Sequence, residues 1–300
     1  MRETLAEIFK VVLAVVIPLA SFATGVRAAT VDPWWLFRRP GLLFRSLLAI
    51  FILVPLATVL FLEAIGAPQL IGAGLIVAIL AVGVGPPAAF KRATAKEANV
   101  AYEVELNIVV QVVAILFIPL AIAVLGTLFH FAPRLEARRV AVIVVEKAIL
   151  PLVVGVIMAR LFPRVAGPLA RIAGPLVQIA LLVVVVVALI VTWKPLIALG
   201  PRAWALCAAV ALLSVTIGHL CGGADREERT VLATFSAMRF PALALLIASI
   251  LPRGRQLIPV VLAYVLCSFV FTAIYSAATA RRQRARGEPT GAAPGRLRHA

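Results

Sequence analysis

The sequence predicts an all-α polytopic membrane protein: about nine transmembrane helices in two inverted-topology repeats, with two broken, crossing helices. Three observations carry that prediction. Apolar residues make up 63% of the 300-residue chain and charged residues 14%, where soluble domains hold roughly 45–50% and 25%. Mean hydropathy is +1.08, and a soluble protein of this length could not cover its surface with so few charges. Apolar stretches of the roughly 20 residues needed to cross a bilayer recur along the chain, and two of them are interrupted at corresponding places.

The predicted spans lie at about 8–26, 42–64, 69–97, 99–126, 140–162, 169–192, 203–221, 229–250 and 257–280. The first has the basic flanks Arg2 and Lys10, the apolar run Val11–Ala20 and the small-residue segment Arg27-Ala28-Ala29, features it shares with a signal peptide. Glu3 and Glu7 argue instead for a retained span. The third meets Gly83-Val84-Gly85-Pro86-Pro87, where consecutive prolines remove backbone donors and push the preceding residues out of helical geometry. The fourth carries Glu103, Asn107 and Gln111 at i, i+4 and i+8, one polar stripe. Glu105 sits about 200° round that helix and need not share the face.

The fifth span opens on Glu146-Lys147, a local pair, and the sixth contains the packing or lipid-facing run Val183–Val187 and the lone amide Gln178, which suits an interhelical hydrogen bond. Asp225-Arg226-Glu227-Glu228-Arg229 reads as a helix start, its acids favoured by the N-terminal dipole. The eighth span that follows is broken at Ser236-Ala237-Met238-Arg239-Phe240-Pro241, and Arg239 places a guanidinium at membrane depth. Trp34, Trp35, Trp193 and Trp204 sit near span ends, as in an interfacial aromatic belt.

Charge sets the orientation. The chain holds 29 Lys+Arg against 13 Asp+Glu, a net +16, an excess that in a soluble protein would suggest nucleic acid. Here the basic residues divide by side of the membrane: 18 in one set of loops and the tail, 10 in the other, and only Arg239 inside a span. The positive-inside rule then places the N-terminus outside and the C-terminus in the cytoplasm of a multi-pass protein of the inner membrane. Residues 1–280 form one membrane domain, with repeat one at about 8–126, a connector helix at about 140–162 and repeat two at about 169–280. Residues 281–300 form a basic, disordered cytoplasmic tail.

Cys207, Cys221 and Cys267 lie in apolar stretches without metal or disulfide spacing and act as small apolar fillers. His130, His219 and His299 are too scattered for a metal site, and no nucleophile motif suggests an enzyme. What remains is the matched pair of breaks. Interrupted helices at corresponding positions of an inverted repeat mark the binding site of a secondary transporter, because freed backbone groups at membrane depth need protein or a ligand as partner. The break residues are Gly83, Gly85, Pro86, Pro87 and Pro241.

Local motifs resemble the bile acid:sodium symporter family. They are Ala23-Thr24-Gly25-Val26, Trp35-Leu36-Phe37-Arg38-Arg39-Pro40, Val54-Pro55-Leu56, the stretch Gly85 through Pro119, Arg229-Thr230-Val231 and Ala242-Leu243-Ala244. The resemblance runs over most of residues 8–280 and implies transport of an organic anion such as a bile acid or keto acid. It also maps that family's sodium-binding positions onto Ala89, Phe90, Glu103, Asn107, Thr234, Met238 and Arg239. Alanine and phenylalanine side chains offer sodium no oxygen and a guanidinium repels it, so sodium, the one cofactor the resemblance implies, is doubtful here. Arg239 is expected in the region a sodium ion fills in relatives, with Glu103 as its counter-charge.

The expected function is secondary active transport of a small organic anion by alternating access, with sodium coupling doubtful and proton coupling, uniport and residual cation coupling all open. The alternative is a membrane-embedded sensor or binding protein that keeps the fold without transport. The candidate substrate- or ion-binding residues are Glu103, Asn107, Gln111, Thr234, Ser236 and Arg239. Lipid and the anion are the expected partners, nucleic acid is not one, and no oligomeric state follows.

Overall fold

The computed structural model describes residues 2–28, 34–81, 97–129, 142, 145–250 and 254–285. Among these residues every regular element is helical: α1 (Arg2–Arg27), α2 (Pro40–Leu47), α3 (Val54–Ala64), α4 (Gln69–Leu80), α5 (Glu97–Phe129), α6 (Leu150–Leu161), α7 (Pro163–Ile197), α8 (Gly200–Cys221), α9 (Arg226–Ala237), α10 (Pro241–Ile250) and α11 (Gly254–Ala285). Two π-helical segments interrupt the series, Leu48–Leu53 between α2 and α3 and Val145–Ile149 before α6. Five stretches are long and apolar enough to cross a membrane, Pro40–Ala64, Pro163–Ile197, Gly200–Cys221, Arg226–Ala248 and Gln256–Arg282; Val15–Arg27 and Gln69–Leu80 are shorter apolar helices. The chain is therefore a multi-pass, all-helical membrane protein.

Helices overlap each of the nine predicted segments, but their ends differ. The sixth segment is a longer helix, α7, and α11 continues through Ala285. The first residues of the tail expected to be disordered are thus helical. The run Ala280-Arg281-Arg282-Gln283-Arg284-Ala285 consists of strong helix formers, which extend an existing helix at little cost. The break at Gly83, Gly85, Pro86 and Pro87, and the mapped positions Ala89 and Phe90, lie outside the described residues.

Packing sorts the helices. α1 packs chiefly on α6 and α7. A Cβ on Gly25 of α1 would collide with the Leu152 carbonyl, and one on Gly155 of α6 with the Phe22 carbonyl, so these glycines let the two backbones cross closely,. α8 packs against α9 and α11, and α11 against α4, α10 and α7, so that α1 and α7 share one core with these helices. Gly74 on α4 admits Val260 of α11. Leu75, Ile79, Phe240, Val260 and Tyr264 are buried in the core. On α7, Ile172, Ile179, Leu182 and Ile190 are exposed while Val184 and Val185 turn inward, so the valine run has one lipid-facing and one packed side.

The segment Leu48–Leu53 has a consequence for the interior. There the Val54 N–H reaches the Ala49 carbonyl, five residues back. In the same register the next donor should serve Ile50, but that residue is Pro55, which has no N–H. The Ile50 carbonyl is left without an intrahelical partner.

Candidate functional site

α9 begins as its sequence suggests, with the Asp225 side chain accepting from the Glu227 N–H as N-cap. It ends at Ala237. Met238 is extended (φ −81°, ψ 104°), and α10 starts at Pro241. Proline cannot donate and biases the residue before it away from helix, so the predicted break falls where the sequence puts it. Two of the freed backbone groups find partners on other helices. The Tyr264 hydroxyl donates to the Ala237 carbonyl at 2.7 Å. The Phe240 N–H donates to the Ala81 carbonyl at 3.0 Å. Ala81 is the residue at which α4 leaves helical geometry (φ −71°, ψ 61°). The broken helix α9–α10 therefore rests, by a backbone hydrogen bond, on the end of α4.

Arg239 lies within this break and is only 5% exposed. Its Nη2 donates to the Ile50 carbonyl at 3.3 Å, the acceptor that Pro55 leaves free. The Tyr264 hydroxyl, its own proton given to Ala237, also lies against the guanidinium. Nε and Nη1 are buried without an acceptor among the described residues. Ser236 Oγ is likewise buried and without a partner there, packed where α8 has the small residue Gly218. Leaving a charged donor unsatisfied costs more than leaving a neutral one, about 1–3 kcal/mol or above. Thr234 is different: its hydroxyl donates to the Thr230 carbonyl at 2.8 Å, a contact within its own helix.

The stripe on α5 holds in part. Gln111 Nε2 donates to Asn107 Oδ1 at 3.2 Å, and both residues are buried. Glu103 does not meet Arg239. Its carboxylate faces Arg27 Nη2 at 4.0 Å, because Arg27 is in the last turn of α1, which packs on α5, whereas Arg239 turns toward the π-helical segment. The expected Glu103–Arg239 pair is replaced by Glu103–Arg27, and Arg239 has no carboxylate among its contacts in the described residues.

Sequence reasoning missed four groups. Glu105, 3% exposed, accepts from the backbone N–H groups of both Trp35 and Leu36. Arg39 Nη1 donates to Glu228 Oε1 at 2.6 Å, joining the turn before α2 to the start of α9. Ser46 and Tyr102 hydroxyls are 2.7 Å apart. Tyr264 closes the break as described. Glu105 and Tyr264 carried a usable signal as polar side chains inside apolar stretches. Nothing in the sequence paired Arg39 with Glu228: Arg39 read only as part of a local motif and Glu228 as an acid at a helix start.

These features define the class: an all-helical, multi-pass membrane protein with an interrupted helix and a buried cation in its interior. The model of the Sodium Bile acid symporter family matches residues 12–199, most of the chain, and the protein belongs to that family of transporters. The match ends before α8, so Arg239 and its break lie beyond it. No individual curated protein matches the chain.

Proposed function

We propose that this protein is a secondary active transporter that moves a small organic anion by alternating access, with the α9–α10 break as the centre of its binding site. The observation that carries the proposal is Arg239: a buried guanidinium, beside a helix break, with two donors that have no acceptor among the described residues. A carboxylate or similar anion is the complementary ligand. Ser236, whose hydroxyl also lacks a partner there, and the N-terminus of α10 add donors that favour negative charge,. A fixed guanidinium repels sodium, so this reading places no sodium ion at this position and favours a proton, or no ion, as the driving partner.

Purified protein in proteoliposomes, given labelled organic acids with sodium and proton gradients imposed separately, tests this. Uptake without sodium is the expected result. Sodium-stimulated uptake would contradict the role of Arg239, and binding of an organic acid without flux would favour a sensor that keeps the fold.

A further inference from the structure

Among the described residues there is one histidine, His219, in the last turn of α8. Its Nδ1 lies 2.6 Å from the hydroxyl of Tyr275 on α11, and the two rings meet edge to face with centroids 5.7 Å apart. Both side chains are half-buried. α8 ends at Cys221 and α9 starts at Arg226, so the pair sits at the interfacial end of its spans. Thr230 of α9 is the third member. Its hydroxyl lies beside that of Tyr275, and its own proton goes to the Arg226 carbonyl at 2.8 Å, which leaves its oxygen able to accept. The charges nearby come from several helices. Arg229 of α9 acts on Tyr275 while its Nε donates to the Gly223 carbonyl at 2.8 Å. Arg226 and Glu227 precede Thr230 by one turn on the same side of α9,, and bring both signs of charge to this end. Cys221 follows on α8, with Arg45 of α2 acting on it. The Glu228 carboxylate is turned away, onto Arg39.

We propose that the His219–Tyr275 pair binds the proton that drives transport, an inference that rests on reading the protein as a proton-driven transporter of an anion. Histidine is the side chain whose charge changes between pH 5 and 8, and ionisable groups within spans mark ion paths and proton relays. The hydrogen bond survives both states. With the imidazole neutral, the Tyr275 hydroxyl donates to Nδ1. When one proton from water adds to Nδ1, that N–H donates to the tyrosine oxygen, and the hydroxyl hydrogen turns to Thr230 Oγ1. The site gains one positive charge and loses no hydrogen bond. α9 feels the change twice, through the new bond to Thr230 and through repulsion of Arg229. Gly218, beside His219, has no room for a Cβ against Leu232 and Ala233, so α8 and α9 meet nearly backbone to backbone and move together. α9 ends at the break that holds Arg239. α11 gives a second link. Tyr264, which closes the break, is followed by Ser268, Thr272 and Tyr275 at helical spacing on one face,, and Ser268 and Thr272 are buried.

Two measurements on the full chain test the proposal. In the first, protein labelled with 15N-histidine is titrated in lipid between pH 5 and 8 by NMR, and the His219 signals are identified by their loss in H219Q. The imidazole should pass from neutral to charged in that range. In the second, proteoliposomes without sodium take up a labelled keto acid or bile acid, with and without an inward gradient of about one pH unit. The gradient should raise accumulation by the unaltered protein up to about tenfold, for one proton carried per anion. In H219Q, whose amide still offers Tyr275 an acceptor, that ratio should fall to about one, with thermal unfolding confirming a folded protein. Y275F keeps the imidazole but removes the oxygen that accepts from it, and should need roughly tenfold more protons for the same accumulation. An imidazole that stays neutral throughout, or a gradient response in H219Q equal to that of the unaltered protein, would overturn the site. No uptake by the unaltered protein under any gradient would instead overturn the transport reading, and the role of the proton would fall with it.

Discussion

The turn at residues 34–39 and the break at residues 238–240 both carry arginine into a packed helical protein, and they treat it in opposite ways. At the turn, polar groups are matched: Arg39 with Glu228 at 2.6 Å, two backbone N–H groups with Glu105, and Ser46 with Tyr102. At the break, Arg239 meets one carbonyl and a phenol, while Nε, Nη1 and the Ser236 hydroxyl lack partners among the described residues. Fully satisfied buried networks hold a structure in one shape. Buried donors without acceptors call for a further explanation, and a ligand that visits the site is one. The contrast separates a structural clamp from the proposed binding centre, although both are built from arginine beside aromatic rings.

The largest effect is expected at the break. Arg239→Gln should lower uptake of the transported anion at least about a hundredfold, since two hydrogen bonds from a charged group at roughly 1.5–3 kcal/mol each are lost, while the melting temperature changes little. Unchanged uptake in a folded variant would erase the distinction between the two regions. An intermediate effect, of a different kind, is expected at Glu105. Glu105→Ala strands two backbone donors and should cost about 3 kcal/mol of stability, read by denaturant or thermal unfolding in detergent. Uptake per folded molecule should stay at its original level, and Glu105→Gln, which still offers an amide oxygen, should recover part of the loss. The smallest effect belongs to Arg39–Glu228. With the Arg39 side chain 51% exposed, solvent screens the pair, and a double-mutant cycle of Arg39→Gln and Glu228→Gln should give a coupling of at most about 1 kcal/mol. A coupling several times larger would move this pair into the same class as the buried break.

Much of this was legible in the residues themselves. The apolar stretches identify a membrane protein, Asp225 marks the start of α9, and Pro241 with Arg239 marks the break. The motifs around Arg38-Arg39-Pro40 and Val54-Pro55-Leu56 resemble the family whose model matches residues 12–199. Each of these is a local property: hydropathy summed over one span, a cap within one turn, or a donor missing from one ladder. The helical continuation of α11 into the tail was also local, and helix propensity of the Ala/Arg/Gln run could have shown it.

The partners were not legible. Glu103 and Glu105 are two residues apart, and only the rotation of α5 against α1 and the 34–38 turn sends one to Arg27 and the other to backbone N–H groups. Arg239 was recognisable as a charge at membrane depth, yet its acceptor, the Ile50 carbonyl, lies 189 residues away in sequence and is free only because Pro55 follows a π-helical segment. Hydropathy and proline act within a single helix, so the sequence by itself determined where helices run and where one must stop. Which polar group meets which depends on how the helices pack and turn against one another, and that was decided only in the tertiary structure.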